Sequence, residues 1–177
     1  MKSEPLQKAK PLAYFITYHT YGTWLHGDPR ESMDRRYFNK IRAPKIPADR
    51  KLERVERRLQ RQPAFTLSIA MRRVVKDAIH EVCNHRGYTL HAVNVRTNHG
   101  HVVVSGRATP EKIMNDLKSH STRRLREAGL IEAGRRVWVR HGSTRYLWHP
   151  AHLAGAVDYV LYGQGDDVPN FDFIDGV

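Results

Sequence analysis

The stretch that most constrains the fold runs from Ala64 to Ser105. Its first part carries Leu67, Met71, Val74, Val75, Ala78, Ile79, Val82 and Cys83 at spacings of three and four, which is one apolar helix face. Gly87 is a ready helix stop, because glycine adopts the left-handed conformation at little cost. Two runs rich in β-branched residues follow, Tyr88–Val95 and His99–Ser105, with only Arg96-Thr97-Asn98 between them. So short a connection implies an antiparallel pair. The predicted helix covers Ala64 to Arg86.

The flanking segments extend this unit. Leu12–Tyr18 (LAYFITY) reads as a preceding strand, and His19 to Asp28 as a turn ending Gly27-Asp28-Pro29. Thr109-Pro110-Glu111 opens a second helix, with an N-cap threonine and proline at the first helical position. Ile113, Met114, Leu117 and Leu125 mark its inner face, and Lys118, Arg123, Arg124 and Arg126 its outer face. Arg136–Arg140 (RVWVR) reads as a fourth strand and Pro150–Tyr162 as a last helix, stopped by Gly163. The order βαββαβ predicts a ferredoxin-like α+β fold. Two helices cover one face of an antiparallel sheet, and a C-terminal helix is appended.

Residues 1–177 are expected to form a single domain with a basic insertion at about 34–62. Between Arg35 and Arg61 stand eleven Lys or Arg against three Asp or Glu. Pro44 and Pro47 interrupt this segment, and Lys51–Leu59 suits a short helix. It reads equally as a solvated loop or as a DNA contact.

Composition narrows the function. The net charge is +12, from 30 Lys and Arg against 18 Asp and Glu. Such an excess is the electrostatic footprint of a nucleic-acid binder. A lone cysteine, Cys83, excludes an internal disulfide and a cysteine-based zinc cluster, and its place on the apolar helix face suits a buried thiol. There is no run of about 20 apolar residues, as a membrane span needs, and Met1-Lys2-Ser3-Glu4-Pro5 lacks the apolar core of a signal peptide. A soluble cytoplasmic protein without a membrane partner is expected.

The chemistry starts at Asn98-His99-Gly100-His101-Val102. Side chains alternate along a strand, so His99 and His101 share one face while Val102 and Val104 share the other. Two imidazoles side by side make half of a metal site. With 11 histidines in the chain, such a pair also arises by chance. The last helix carries Asp158-Tyr159-Val160-Leu161-Tyr162-Gly163-Gln164. A phenol attacks phosphorus poorly unless the centre is activated, and a divalent cation can activate it. A basic chain with both features can cleave DNA and remain joined to it through tyrosine. Tyr162 is a rival to Tyr159, and both rings can instead be packing against the sheet. Trp24, Trp138 and Trp148 read as core or edge packing, and His19, His26, His141 and His149 have no evident partner in the sequence.

Together these segments resemble the HUH-class single-strand DNA transposases with one catalytic tyrosine, a group that includes the REP-associated tyrosine transposases. The likeness spans nearly the whole chain. It rests on Tyr14-Phe15-Ile16-Thr17, Tyr21-Gly22-Thr23-Trp24-Leu25, Asn98-His99-Gly100-His101-Val102, Leu117-Lys118, His141 to Trp148, Asp158-Tyr159-Val160 and Gln164. The resemblance implies that Tyr159 is the nucleophile and that His99, His101 and Gln164 hold Mg²⁺ or Mn²⁺. It implies cleavage and rejoining of single-stranded DNA through a 5′-phosphotyrosine. The DNA would bear a hairpin, and the protein would act as a monomer or as a homodimer sharing active sites, in the bacterial cytoplasm. Lys118, Arg123 and Arg124 on the second helix, and Arg140 and Arg145 around the Gly142 turn, are the expected DNA contacts. Two residues depart from the family pattern. Gly100 stands where a bulky apolar residue is usual, and Gln164 follows the tyrosine by five residues where four is common. Two other functions fit the same residues: a domesticated, non-catalytic nucleic-acid-binding protein on this fold, and a metal-dependent hydrolase using water.

Overall fold

A computed structural model describes residues 10–29, 32–33 and 45–163. The elements are β1 (Ala13–His19), β2 (Ser32–Met33), β3 (Lys45–Ile46), α1 (Arg50–Arg58), α2 (Ile69–Arg86), β4 (Thr89–Val95), β5 (His99–Ser105), α3 (Pro110–Glu127), β6 (Ser143–Leu147) and α4 (Pro150–Tyr162).

The main sheet has the order β4-β5-β1-β6, and every neighbouring pair is antiparallel. α2 and α3 pack together across one face. This is the ferredoxin-like arrangement that the element order predicts. β2 and β3 form a separate two-stranded ribbon between β1 and α2, followed by α1, which buries none of its residues. Residues 34–44, the start of the basic segment, lie outside the described residues.

α2 starts five residues later than its apolar period predicts. Phe65 N donates to the Tyr21 carbonyl and Leu67 N to the Thr97 carbonyl, which holds this stretch extended. Phe65 and Leu67 thereby point into the core as alternate residues of an extended chain. The helix begins where Ser68 can cap it, its hydroxyl accepting from Met71 N. It ends at Gly87, whose φ is +66°.

The fourth strand also differs from prediction, lying at Ser143–Leu147 and not at Arg136–Arg140. The predicted stretch runs beside the end of β1, with Tyr21 N donating to the Val137 carbonyl, Val139 N donating to the His19 carbonyl, and a single bridge between Trp138 and Thr20. The Lys118 ammonium on α3 takes the carbonyls of Val139 and His141, at 3.1 and 3.0 Å. Gly142 then threads between β1 and α3. A Cβ there would stand 2.5 Å from the Thr17 carbonyl oxygen and 2.6 Å from Met114 Sδ. Regular pairing with β1 resumes only at Ser143.

Period-two alternation divides the sheet into two cores. Ile16, Tyr18, Val102 and Val104 meet Val75, Ile79, Ile113 and Leu117 of α2 and α3. Ala13, Ala92, Val103 and Leu147 meet Val160 and Leu161 of α4 on the other face. Each fully buried Leu, Ile or Val contributes roughly 1.5–3 kcal/mol. Gly100 belongs to the α2–α3 face, directly opposite Tyr18 on β1. A Cβ at Gly100 would meet the Tyr18 ring at 3.3 Å, so that ring occupies the volume over the glycine. An aromatic across the strand pair supports a glycine in this way, and the departure at Gly100 has a local structural counterpart.

Candidate active site

His99 and His101 project from β5 toward α4, as their i, i+2 spacing predicts. Their ring centroids are 4.7 Å apart. His101 is buried against Phe15 of β1, with rings stacked at 5.6 Å. Its Nδ1 lies 2.8 Å from the hydroxyl of Thr17, its cross-strand partner. The Asn98 side-chain oxygen accepts from His99 Nδ1 at 2.6 Å. With Nδ1 of both rings tied to a protein oxygen, Nε2 is the nitrogen that each would offer a metal. Anchoring the second nitrogen in this way is the usual support of ligating histidines. His19 lies beside His99, its ring at 5.5 Å, and packs on Trp24 at 4.3 Å.

Among the described residues no group of three or more His, Cys, Asp or Glu could hold a metal ion. The expected third ligand is an amide, Gln164, which lies outside the described residues. Two anchored imidazoles and an amide oxygen suit a divalent cation that fills its remaining positions with water and phosphate oxygens.

Tyr159 reaches the same place from α4. Its ring is 5.8 Å from that of His101 and 5.9 Å from that of Phe15. It remains 47% exposed. Two features dock the helix. Val160 and Leu161 are fully buried against the sheet. Asn94, opposite His101 in the β4–β5 register, is also buried and donates to the Val160 carbonyl at 3.0 Å. That carbonyl is in the last helical turn, where carbonyls lack an intrahelical donor. Gly163 closes the helix by donating to the Tyr159 carbonyl.

These side chains border an open cleft of about 1800 Å³. Among the described residues lining it, Tyr159 is present and Tyr162 is absent. Arg140 and Arg145, expected DNA contacts, line the cleft together with Arg136. The other three expected contacts lie elsewhere. Lys118 is buried with its ammonium on two backbone carbonyls, and burial lowers its pKa to about 8. Arg123 and Arg124 are on α3, across the sheet from Tyr159. Arg124 pairs with Glu81 at 3.2 Å and Glu127 at 2.8 Å, and Arg123 donates to His120 Nδ1 at 2.7 Å. Helical spacing fixed which face of α3 they share but not which side of the molecule α3 covers.

The sequence reading missed Thr17, Asn94 and Asn98 as supports of the site. Asn94 had a signal, being a polar residue set between Val93 and Val95 in a buried strand. Its acceptor, 66 positions away in the sequence, had none.

No helix among the described residues is long and apolar enough to cross a membrane. Comparison with curated proteins finds no match. Among solved structures, the chain is similar to a REP-associated tyrosine transposase bound to a REP hairpin, at 13% identity and a TM-score of 0.49, over 92% of this chain and 72% of that one. It is also similar to a candidate transposase from Deinococcus radiodurans R1, at 15% identity and a TM-score of 0.44, over 90% of this chain and 95% of that one. The family profile described as "Transposase IS200 like" matches residues 51–158, a span that holds α2 through β6, both site histidines and all but the end of α4. The chain therefore belongs to the IS200-like transposase family.

Proposed function

We propose that this transposase cleaves and rejoins single-stranded DNA through a 5′-phosphotyrosine on Tyr159, with Mg²⁺ or Mn²⁺ held by His99, His101 and Gln164. The observation that carries the reading is the convergence of the Tyr159 ring with that of His101, from two elements 58 positions apart in the sequence. A bound cation would polarise the phosphoryl oxygen and stabilise the leaving oxygen. Thr17 and Asn98 hold the two imidazoles in orientation. Phe15 and Asn94 orient the phenol, one through its ring and the other through the helix that carries it.

In the proposed step the Tyr159 phenolic oxygen bonds to phosphorus and gives up its proton. The P–O3′ bond breaks, and the departing strand leaves as a 3′-hydroxyl. The phosphotyrosine conserves the energy of the broken ester, so a 3′-hydroxyl can attack it and rejoin DNA without a further co-reactant. Arg140 and Arg145 border the cleft and suit phosphate contacts. A hairpin-bearing strand is the proposed partner, on the strength of the family and the net charge of +12. The basic segment between β1 and α2 is proposed as an insertion of the same domain that adds phosphate contacts.

The test uses 3′-labelled single-stranded DNA with Mn²⁺ on a denaturing gel. The wild type should retain label covalently. Tyr159→Phe should form no adduct yet bind DNA with unchanged salt dependence, because only the phenolic oxygen is lost. His99→Ala and His101→Ala should also lose the adduct, and Tyr162→Phe should keep it. An active Tyr159→Phe beside a dead Tyr162→Phe would assign the wrong tyrosine. A wild type that binds DNA but forms no adduct would make this a binding protein on a transposase fold.

A further inference from the structure

Two large aromatic side chains, Tyr146 in the lining of the cleft and Trp148 packed against it, have no role in the chemistry above. Tyr146 lies on β6, the edge strand of the sheet, and Trp148 follows two residues later. They are 45% and 47% exposed. Their rings are nearly parallel, 13° apart in plane with centroids at 6.0 Å. Tyr14, opposite Tyr146 on β1, abuts it edge-on at 5.2 Å and braces it from below. The two rings therefore form a braced, parallel stack, each about half exposed to solvent. Contiguous exposed apolar surface of this kind marks interaction sites more than isolated exposed residues do.

The surroundings select the partner. Arg145 precedes Tyr146 and projects to the opposite face of β6, and both residues line the cleft that holds Tyr159. A strand following this surface would pass from guanidinium to aromatic as it rounds the sheet edge. On the aromatic side Glu111 accepts from Thr144, which shares that face with Tyr146. A carboxylate there disfavours phosphates, and flat rings favour bases. From this geometry we infer that Tyr146 and Trp148 form a stacking platform for unpaired bases of the DNA strand that enters the cleft, with Arg145 taking the backbone. The inference rests on the reading that single-stranded DNA occupies this cleft. Stacking on aromatic side chains is how proteins hold single strands without reading sequence.

The test compares an oligothymidylate of about 30 nucleotides with an abasic oligonucleotide of the same length, a design that separates bases from phosphates. Binding is followed by the fluorescence anisotropy of end-labelled oligonucleotides at fixed salt. Wild type should bind the oligothymidylate at least about tenfold more tightly than the abasic strand. The double variant Tyr146→Ala/Trp148→Ala should lose roughly ten- to a hundredfold in oligothymidylate affinity and bind the abasic strand as wild type does. Tyr146→Phe/Trp148→Phe should restore oligothymidylate binding, since the rings remain. A double alanine variant that binds oligothymidylate undiminished overturns the platform. So does equal loss of both oligonucleotides. A wild type that binds neither strand overturns the single-strand reading of the cleft together with the platform.

Discussion

The two faces of the sheet share strands and have opposite characters. On one face Val102 and Val104 are fully buried beneath α2 and α3. On the other, His99 and His101 alternate with them along the same strand and open into a cleft that α4 covers only in part. Period-two geometry allows this division, because successive side chains of one strand never compete for the same space. The closed face supplies rigidity, and the open face uses it to hold imidazoles and a phenol in register. Damage to the closed face should therefore appear as lost stability, and damage to the open face as lost activity in a folded protein.

The largest expected effect is on the closed face. Leu117 is fully buried in the α2–α3 core. Leu117→Ala should cost about 2–5 kcal/mol of unfolding free energy, measured by urea denaturation. A cost comparable to that of an exposed leucine would mean that the core is not closed there.

Lys118 sits where the two regions join. Lys118→Met would leave the Val139 and His141 carbonyls without their buried donor, at a cost of about 1–3 kcal/mol near neutral pH. The pH dependence has a defined sign. Burial lowers the folded-state pKa to about 8, against lysine's ordinary value of about 10.4. Between those values the unfolded chain binds more protons than the folded one, so stability from this group rises with pH. The wild type should therefore gain on Lys118→Met as pH rises from 8 toward 10. A constant difference in melting temperature across that window would contradict this account.

Asn94 tests the open face. Asn94→Leu keeps the approximate volume and removes the donor to the Val160 carbonyl. Adduct formation at saturating DNA should slow about tenfold, equivalent to about 1.4 kcal/mol of positioning. DNA affinity should hold. Amide exchange in the last turn of α4 should rise while that of β5 stays slow. Loss of DNA binding in proportion to the rate would assign Asn94 to general folding instead.

The smallest effects should separate the arginines by face. Arg145→Ala should weaken single-strand binding several-fold and reduce the salt slope by about one. Arg123→Ala, across the sheet and beside His120, should change neither. Equal losses would mean that DNA also crosses the helix layer.

The residues alone determined most features that depend on local period and termination. α2 and α3, the β4–β5 hairpin, the shared face of His99 and His101, and the end of α4 near Gly163 all follow from spacing and caps. Membership in a tyrosine transposase family was legible in the order of short motifs. Tertiary structure decided the features that depend on hydrogen bonds between distant segments. It held residues 64–68 extended against Tyr21 and Thr97, and it moved the last strand from Arg136–Arg140 to Ser143–Leu147. The buried ammonium of Lys118 became a clamp on a loop, although helix spacing set it on the outer face. Asn94 became the anchor of the tyrosine helix. A backbone carbonyl or amide carries no side-chain identity, so its partner is chosen by the packed fold and cannot be read from the residue that bears it.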